Sequence, residues 1–310
     1  MAQAKSYSQV KETQFFNWQG YQCAYEVYAA DSDEQATSKP PLLLIHPVGV
    51  GLSKQFWHPF CQALETKSDR PSIYNPDLLG CGESDMPRIA YEPDNWADQL
   101  LHLVETVIQQ PVVVVVQGAL LAVAIRMVQK TTDTQWIKGL VLAGPPGWPL
   151  VSQSASSIQQ KLLWNVLFDS PLGSAFYRYA RRRQFLDSFS KRQLFASTST
   201  VDDEWLAMLK EGAQNTASRH AVFSFLAGFW RKDYTKAIAQ IQQPTLVLFG
   251  EEASGIDRVS RSDSAQQRLQ DYLQRLPHAQ GSLISGRNVL PYESTEAFTN
   301  EVDGWLTRAF

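Results

Sequence analysis

Short apolar runs, each followed by a segment with helical spacing, dominate the pattern of hydrophobic and polar positions along this chain. The most regular of them, PVVVVVQGALLAVAIRM (residues 111–127), starts with five consecutive valines and continues into a Leu/Ala-rich stretch that ends at Arg126. β-Branched residues favour a buried strand, and the Leu/Ala stretch favours a helix. Residues 111–130 therefore predict a strand, a sharp turn at Gln117-Gly118 and a helix.

The same alternation recurs along most of the chain. An aromatic and β-branched stretch around Gln19-Gly20 predicts a hairpin over residues 14–29. Further strands are predicted over 41–46, up to Pro76, and within 137–149, 244–251 and 281–287, and further helices over 53–65, 94–109, 264–276 and 295–309. Because Gly-rich turns follow several of these strands, the pattern predicts an α/β fold with a mostly parallel sheet and helices on both faces.

Residues 150–235 interrupt this alternation, since they contain helical segments and no predicted strand. A helical insertion between two strands of an α/β sheet usually covers the ligand crevice at the carboxyl ends of the strands. The many aromatic residues in the insertion favour such a lid, and a helical layer that only fills the core is the alternative. We therefore divide the chain into a flexible N-terminus (1–13), an α/β core (14–149 and 236–310) and a helical lid (150–235).

Composition narrows the class of protein. The 310 residues are 44% hydrophobic and 19% charged, which is sufficient for a substantial core. The net charge of −3 gives no basis for nucleic-acid binding. The polar start of the chain does not resemble a secretory signal, and no apolar run reaches the ~18 residues of a membrane span. Because Cys23, Cys61 and Cys81 lie far apart, we expect reduced thiols and a cytoplasmic protein.

Five motifs, in order, resemble those of the α/β-hydrolase family over about residues 20–310. LLLIHPVGVG corresponds to the strand and oxyanion loop, DLLGCGES to an Asp-x-x-Gly-x-Gly-x-Ser turn, and VVQGAL to the nucleophile elbow. PTLVLFGEEA falls at the acid strand, and ISGRNVLPYESTEAF is similar to the histidine loop IPGCGHLPYESPEAF of the family. The phrases also resemble an uncharacterised group of hydrolase-like proteins in cyanobacteria. The resemblance implies an α/β-hydrolase fold with a helical lid inserted between two strands.

The resemblance also implies where a catalytic triad would lie, and the chain departs from the family at all three positions. The nucleophile position holds Gly118 and the acid position holds Ala253. The histidine position holds Val289, or Asn288 if the loop shifts by one residue. Serine hydrolysis needs an oxygen nucleophile, an imidazole that takes its proton and a carboxylate that orients the imidazole. None of these side chains supplies such a group, so we predict a pseudoenzyme without hydrolase activity.

Part of the family's site is retained in the sequence. The backbone N–H of Ala119 should point into the crevice, and the loop after His46 offers a second donor at Val48, because Pro47 has no N–H. A helix N-terminus with free donors favours a carboxylate, phosphate or carbonyl oxygen. We therefore predict a ligand-binding site formed by His46, Val48, Gln117 and Ala119. The alternative is that these groups bind only water.

Few other residues offer catalytic chemistry. Cys81 is the candidate for an unrecognised nucleophile, although a thiol without a positive or basic neighbour is unreactive. His46, with the oxyanion donors, is the candidate for cofactor-free proton transfer, and Asp257 is a displaced acid without a histidine to orient. The turn residues Asp77 and Ser84 correspond to structural positions of the family. No two of the five histidines have metal-ligand spacing, so neither a metal nor a cofactor is predicted.

Three functions follow from these residues. The first is a non-hydrolytic protein that binds a small lipophilic or carbonyl-bearing ligand or a protein partner; the second is an esterase-like hydrolase that uses Cys81; the third is a proton-transfer enzyme. The lid sequence FYRYARRRQF (176–185) is both aromatic and basic, which is compatible with peripheral contact with a membrane surface or with an acidic partner. The alternative, and the commoner explanation for such arginines, is a solvated helix face. If the lid covers a pocket, aromatic residues around Trp164, Phe176 and Trp230 should respond to a ligand.

Overall fold

One eight-stranded sheet organises the molecule, whose computed structural model describes residues 11–30, 39–131, 136–255 and 263–310. The strands are β1 (Gln14–Trp18), β2 (Tyr21–Tyr28), β3 (Leu42–Ile45), β4 (Ile73–Pro76), β5 (Val112–Gln117), β6 (Ile137–Ala143), β7 (Thr245–Gly250) and β8 (Ala279–Ile284). Their order across the sheet is β1-β2-β4-β3-β5-β6-β7-β8. The β1-β2 and β2-β4 pairs are antiparallel and every other pair is parallel. The predicted mostly parallel α/β sheet is thus confirmed.

Helices follow the strands in the predicted alternation. The α-helices are α1 (His58–Glu65), α2 (Pro93–Leu103), α3 (Leu121–Lys130), α4 (Trp148–Val151), α5 (Ser157–Leu162), α6 (Pro171–Ala180), α7 (Arg183–Phe189), α8 (Asp203–Gly212), α9 (Arg219–Ala227), α10 (Thr235–Ala239), α11 (Ala265–Leu273), α12 (Leu290–Glu293) and α13 (Thr295–Ala309). None of the helices in the described ranges is long and apolar enough to cross a membrane. The flexible N-terminus was predicted over 1–13, of which residues 1–10 lie outside the described part.

Two predicted helices differ from a regular α-helix at one end. The predicted helix 53–65 begins with a 3₁₀ turn, Lys54–Trp57, before α1, and Pro59 lies in the first turn of α1, where its missing N–H leaves no bond broken. The predicted helix 94–109 ends in a π-helical turn, Val104–Ile108, and Gln109 takes a left-handed φ of 54°. This turn redirects the chain into β5.

The valines of β5 show how an uninterrupted apolar run builds two layers of core. Val112, Val114 and Val116 face the layer that α2, α3 and α11 cover. Val113 and Val115 face the opposite layer, which α1 and α13 cover. Since successive side chains of a strand point to opposite faces, a strand buried on both faces needs no polar positions. β5 is therefore the central strand that the sequence indicates.

The helical region between β6 and β7 contains two segments that pack differently. The inner segment (183–212) contains α7, the π-helical turn Ser190–Leu194 and α8, and its side chains Leu186, Phe195, Trp205, Leu206 and Leu209 join the core layer of α1 and α13. The outer segment (157–180) contains α5, the π-helical turn Leu163–Phe168 and α6. Its buried side chains Trp164, Phe168 and Tyr177 pack against α9 in a separate, small cluster. The inner segment is thus part of the core of the α/β fold, whereas the outer segment packs in a separate cluster.

Candidate functional site

The turn after β5 has the backbone geometry of a nucleophile elbow. β5 ends at Gln117, and Gly118 has a φ of +63° at the start of a 3₁₀ turn that leads into α3. Few residues other than glycine take this left-handed conformation without strain. A Cβ added to Gly118 would meet nothing within 4 Å. Gly118 and Ala119 are both half-buried, so the elbow is partly exposed to solvent.

The loops at the other two triad positions carry apolar side chains. Ala253 follows β7, is buried, and its N–H donates to the Gly250 carbonyl oxygen at 2.9 Å. Val289 precedes α12 and is buried in the core layer of α1 and α13. Neither side chain can carry or accept a proton. Asp257, the displaced acid considered from the sequence, lies outside the described residues.

A hydrogen-bond network centred on Asn288 occupies the place of the triad. Gln117 Nε2 donates to the Asn288 carbonyl oxygen at 2.7 Å, which joins the elbow to the histidine loop. Asn288 Nδ2 donates to the carbonyl oxygens of Ser254 at 3.1 Å and Gln193 at 2.7 Å. The Asn288 N–H also donates to the Leu194 carbonyl oxygen at 3.0 Å. Asn288 therefore ties the elbow, the acid loop and the inner segment together.

Arg287 and Glu293 reinforce this network on the solvent side. The Arg287 guanidinium donates to Ser254 Oγ at 2.9 Å from Nε and at 2.6 Å from Nη2, and to the Arg192 carbonyl oxygen at 2.8 Å from Nη1. Glu293 accepts from the backbone N–H of Arg287 at 2.9 Å and of Ala196 at 2.6 Å. The sequence does not predict Arg287 or Glu293 as site residues. The contacts that join them to other loops are to Ser254 and to the backbone of Arg192 and Ala196, which lie 33 to 97 residues away, and no local pattern reveals such pairs.

The inner segment also lies directly on the oxyanion loop. A Cβ on Gly51 would overlap the Leu209 carbonyl oxygen of α8, and a Cβ on Gly212 would overlap the Gly51 carbonyl oxygen. Gly51 has a φ of +80° as well. The two backbones approach this closely only because both positions are glycine. The inner segment thus contacts the crevice loops on two sides, the oxyanion loop and the histidine loop.

His46 supports the oxyanion loop from inside. The Leu78 N–H donates to His46 Nε2 at 3.1 Å, so the ring proton lies on Nδ1, which donates to the Pro47 carbonyl oxygen at 2.9 Å. Burial lowers the pKa of His46, with a smaller contribution from Lys54, and the imidazole is neutral. Both ring nitrogens are therefore occupied. This gives no support to ligand contact or proton transfer by His46.

The second oxyanion donor expected from the sequence is the N–H of Val48. Its side chain is buried, and in the described ranges no acceptor lies within hydrogen-bond distance of its N–H. Gln117 carries a further unused group at the same edge of the sheet. Its side chain is 3% exposed, and its Oε1 has no hydrogen-bond partner among the described residues. The crevice therefore offers the N–H of Val48 and one unused side-chain acceptor. The N–H of Ala119, the other donor expected from the sequence, likewise has no backbone acceptor among the described residues.

Cys81 lies in an environment that suppresses nucleophilic chemistry. The thiol is buried, and burial together with the neighbouring Asp77 carboxylate raises its pKa far above the ordinary value. Asp77 itself accepts from the Lys54 N–H at 2.7 Å and the Glu83 N–H at 2.9 Å, and it forms an ion pair with Lys54 Nζ. A reactive cysteine needs the opposite surroundings, a positive neighbour and partial exposure. Cys81 is thus a protonated side chain of the core.

Other ionisable groups and aromatic residues do not converge on the crevice. His58 Nε2 lies 2.9 Å from Glu26 Oε2, a pairing that the sequence spacing did not reveal. Within the described ranges, no group of three or more His, Cys, Asp or Glu residues is placed to hold a metal ion. Trp164 packs in the cluster of the outer segment, Trp230 packs on Phe225 in another layer, and Phe176 is exposed. These three aromatic residues do not line one pocket.

Comparison with known proteins identifies the relatives of this arrangement. A family model described as the alpha/beta hydrolase family matches residues 42–301. A serine hydrolase involved in carbazole degradation superimposes with a TM-score of 0.69 at 19% identity, covering 96% of this chain and 99% of that one. A thermophilic esterase from Thermogutta terrifontis gives a TM-score of 0.69 at 20% identity, with 96% and 99% covered.

A bromoperoxidase from Bacillus anthracis gives a TM-score of 0.70 at 20% identity, with 96% of this chain and 100% of that chain covered. At such identities the similarity shows the fold alone. No curated protein matches the chain significantly. Function therefore has to be argued from the residues of the crevice and the surface of this chain.

Proposed function

The chain belongs to the α/β-hydrolase family, and we propose that it is a non-hydrolytic member, which binds a small molecule at the crevice without cleaving it. The replacement of the triad by Gly118, Ala253 and Val289 carries this proposal. Hydrolysis needs a nucleophile, a base and an acid within hydrogen-bond reach of one another. The Asn288 network supports the same conclusion, because it joins the loops that would have to present those groups.

The unused polar groups at the elbow support a ligand that both donates and accepts. A buried amide oxygen without a partner costs about 1–3 kcal/mol, and a ligand N–H or O–H that donates to Gln117 Oε1 would recover part of this free energy. The N–H of Val48 and the N–H of Ala119 are the candidate donors to a ligand oxygen. A lipophilic compound with a primary or secondary amide group fits both requirements, because its N–H donates and its carbonyl oxygen accepts. A protein partner that inserts a carbonyl group is the competing proposal.

The test of the non-hydrolytic assignment is an activity screen of the purified protein. We expect no turnover of short- and long-chain esters above background and no labelling by serine-directed fluorophosphonate or cysteine-directed iodoacetamide probes under native conditions. Turnover that disappears in Cys81→Ala would overturn the assignment and establish Cys81 as the nucleophile. Turnover that disappears in His46→Ala but persists in Cys81→Ala would also overturn the assignment and would show that the activity depends on the oxyanion loop that His46 supports. Equal turnover in all variants identifies a contaminant.

The test of ligand binding compares two glutamines. Gln117 and Gln243 each have a buried Oε1 without a partner among the described residues, but Gln243 precedes β7 at the opposite edge of the sheet. Native mass spectrometry and thermal-shift titration with lipophilic acids and amides should detect binding to the wild type. Gln117→Met should weaken it about tenfold, as expected for one lost hydrogen bond, and Gln243→Met should not. No binding across the panel would favour the protein partner.

We also propose a reducing, cytoplasmic setting for the protein. Support comes from Cys23, Cys61 and Cys81, which are free and buried. Buried thiols without disulfide partners are typical of proteins that function in reducing compartments. All three thiols should react with an alkylating reagent after denaturation without reductant. Recovery of fewer than three from freshly lysed cells would contradict this setting.

A further inference from the structure

The outer segment exposes more large apolar side chains to solvent than the rest of the described residues together. Nine large hydrophobic side chains of the described residues are exposed, and seven of them belong to residues 157–180. These seven are Ile158, Leu162, Leu163, Val166, Leu172, Phe176 and Tyr179, with exposures between 40% and 78%. The two others are Phe15 on β1 and Leu226 on α9. Such a concentration marks an interaction site more often than chance exposure.

The exposed side chains follow helical spacing. Ile158, Leu162 and Val166 recur every four residues along α5 and the π-helical turn that continues it, and Leu172 and Phe176 repeat this spacing on α6. The buried side chains Trp164 and Phe168 of the π-helical turn and Tyr177 of α6 pack with α9, whereas α5 has no buried side chain. A helix that packs on one side and faces water on the other is normally polar on the second side. The outer segment therefore has an apolar face without an intramolecular partner among the described residues.

Positive charge accompanies this apolar face. Residues 157–192 contain seven basic and two acidic side chains, a net charge of +5 in a chain whose net charge is −3. Arg178, Arg182 and Arg192 are exposed, and no carboxylate of the described residues lies within ion-pair distance of them. Arginines without a carboxylate partner, next to exposed aliphatic side chains, are typical of surfaces that bind at the interface of an anionic bilayer.

A surface cavity lies next to the face, with a lining suited to an anion. It has a volume of about 310 Å³ and is lined by Tyr179, Arg182, Gln184, Phe185, Ser188 and Arg192. Two of these side chains are cationic and none is anionic. The Arg182 guanidinium carbon lies 5.6 Å from the centre of the Tyr179 ring, which holds the side chain at the rim. Guanidinium groups bind phosphate oxygens in pairs of hydrogen bonds.

We propose that the outer segment is a membrane-docking surface, whose apolar side chains enter the interface of an anionic bilayer while Arg182 and Arg192 bind a lipid phosphate. This surface is independent of the crevice and of the proposed ligand. A bilayer accommodates aliphatic side chains and arginines next to each other without a complementary shape, and the long arginine side chains reach the phosphate level. The net positive charge of residues 157–192, which include Arg182 and Arg192 beyond the outer segment, selects anionic lipid over neutral lipid.

The experiment is co-sedimentation of the full-length protein with vesicles. Vesicles of equimolar phosphatidylcholine and phosphatidylglycerol should bind the protein, and vesicles of phosphatidylcholine alone should bind it at least tenfold more weakly. Each cation at an anionic surface strengthens binding about fivefold, so Arg182→Gln with Arg192→Gln should weaken binding roughly 25-fold. Leu162→Asp with Val166→Asp should weaken it at least tenfold. High salt should weaken vesicle binding by the wild type, as the two arginine substitutions do, because it screens the attraction between the cations and the anionic lipid.

Matched controls separate docking from general changes of surface. Phe15→Asp removes an exposed apolar side chain from β1, and Arg308→Gln removes an exposed cation from α13, so both should bind as the wild type does. Thermal unfolding checks that all variants are folded. Absence of binding to either vesicle, equal binding to both, or equal losses in the controls would overturn the proposal. Binding of free glycerophosphate as strong as the binding of vesicles would also overturn it, because the site would then take a soluble phosphate. Dimers of the wild type that dissociate in Leu162→Asp with Val166→Asp would overturn it as well, because the apolar face would then bind a second copy of the chain.

Discussion

The inner and outer segments of the insertion are both helical and both rich in aromatic residues, but they relate to the rest of the molecule in opposite ways. The inner segment (183–212) places Leu186, Trp205 and Leu209 in the core layer of α1 and α13. The outer segment (157–180) leaves most of its large apolar side chains in solvent. One segment uses its apolar residues to complete the fold, whereas the other retains them on the surface.

This difference separates two roles within one insertion. The inner segment receives hydrogen bonds from Asn288 and Arg287 and packs on Gly51, so it is fixed against the oxyanion loop and the histidine loop. The outer segment is held by its own small cluster with α9, by the ion pair of Asp169 with Arg88, and by hydrogen bonds of Gln160 and Tyr177 to Gly228 and Ser218. Substitutions of the buried side chains of the inner segment should therefore change stability, and substitutions of the exposed apolar side chains of the outer segment should change binding to a surface. The following measurements test this division.

The largest effect should come from the glycine contact between the oxyanion loop and α8. Gly51→Ala combines a left-handed φ with overlap of the Leu209 carbonyl oxygen, and we expect a loss of about 3 kcal/mol or more in the free energy of unfolding. Gly20→Ala is the control, because Gly20 has a φ of +85° and open space, and it should lose about 1 kcal/mol. Urea denaturation measures both.

A second glycine keeps this measurement informative if Gly51→Ala does not fold. Gly212→Ala adds only the overlap with the Gly51 carbonyl oxygen, because no left-handed φ is involved. It should lie between the other two variants in stability. Equal losses in Gly51→Ala and Gly20→Ala would mean that the inner segment does not rest on the oxyanion loop.

The next effect should come from the centre of the network. Asn288→Ala removes the donor to the carbonyl oxygens of Gln193 and Ser254, and we expect a loss of about 2 kcal/mol and faster amide hydrogen exchange in residues 190–196. Asn300→Ala removes the amide that accepts from Lys67 on the surface, and its loss should stay within about 0.5 kcal/mol. Unchanged amide hydrogen exchange in residues 190–196 would show that Asn288 does not hold the inner segment in place.

A smaller effect should follow a side chain at the elbow. Gly118→Ser and Gly118→Ala both force a Cβ into a φ of +63°, but neither meets another atom, so each should lose about 1 kcal/mol in urea denaturation. Neither variant should gain esterase activity, because Ala253 and Val289 supply no acid or base. Unchanged or higher stability in both would require residue 118 to have another backbone conformation, and the non-hydrolytic assignment would lose its support.

The smallest effect should come from the outer face. Leu172→Ser removes a leucine that is 67% exposed, and we expect a change in unfolding free energy within about 0.5 kcal/mol. Leu206→Ser, in the inner segment, removes a leucine that is 4% exposed and should lose about 3 kcal/mol. A loss in Leu172→Ser comparable with that in Leu206→Ser would mean that the outer face is covered within the protein.

Local patterns were sufficient to predict the sheet. The valine run of β5, the apolar run of β3 and the hairpin turn at Gln19 and Gly20 each depend on neighbouring residues, and all three are confirmed. The sharp turn predicted at Gln117-Gly118 is also confirmed, and Gly118 has a left-handed φ of +63° there. Periodicity and turn chemistry act over a few residues, so one sequence is enough to reveal them.

The Asn288 network and the two faces of the insertion could not be predicted in this way. Asn288 contacts Gln193, which lies 95 residues away, and Gln117, which lies 171 residues away. No local pattern encodes such pairs when the partner is a backbone carbonyl. Helical spacing likewise indicates that SAFYRYARRRQFLDSF is helical but not which of its apolar sides is covered, because burial depends on the packing of the whole chain.

The distance of Gln193 from Asn288 along the chain has a consequence for the order of events during synthesis. Chains are made from the N-terminus at roughly 5–20 residues per second, so the 95 residues that separate the two partners take roughly 5–20 seconds. Until then, the inner segment has no partner on its histidine-loop side. The carbonyl oxygens of Gln193 and Leu194 therefore remain without their Asn288 donors until the histidine loop has been made.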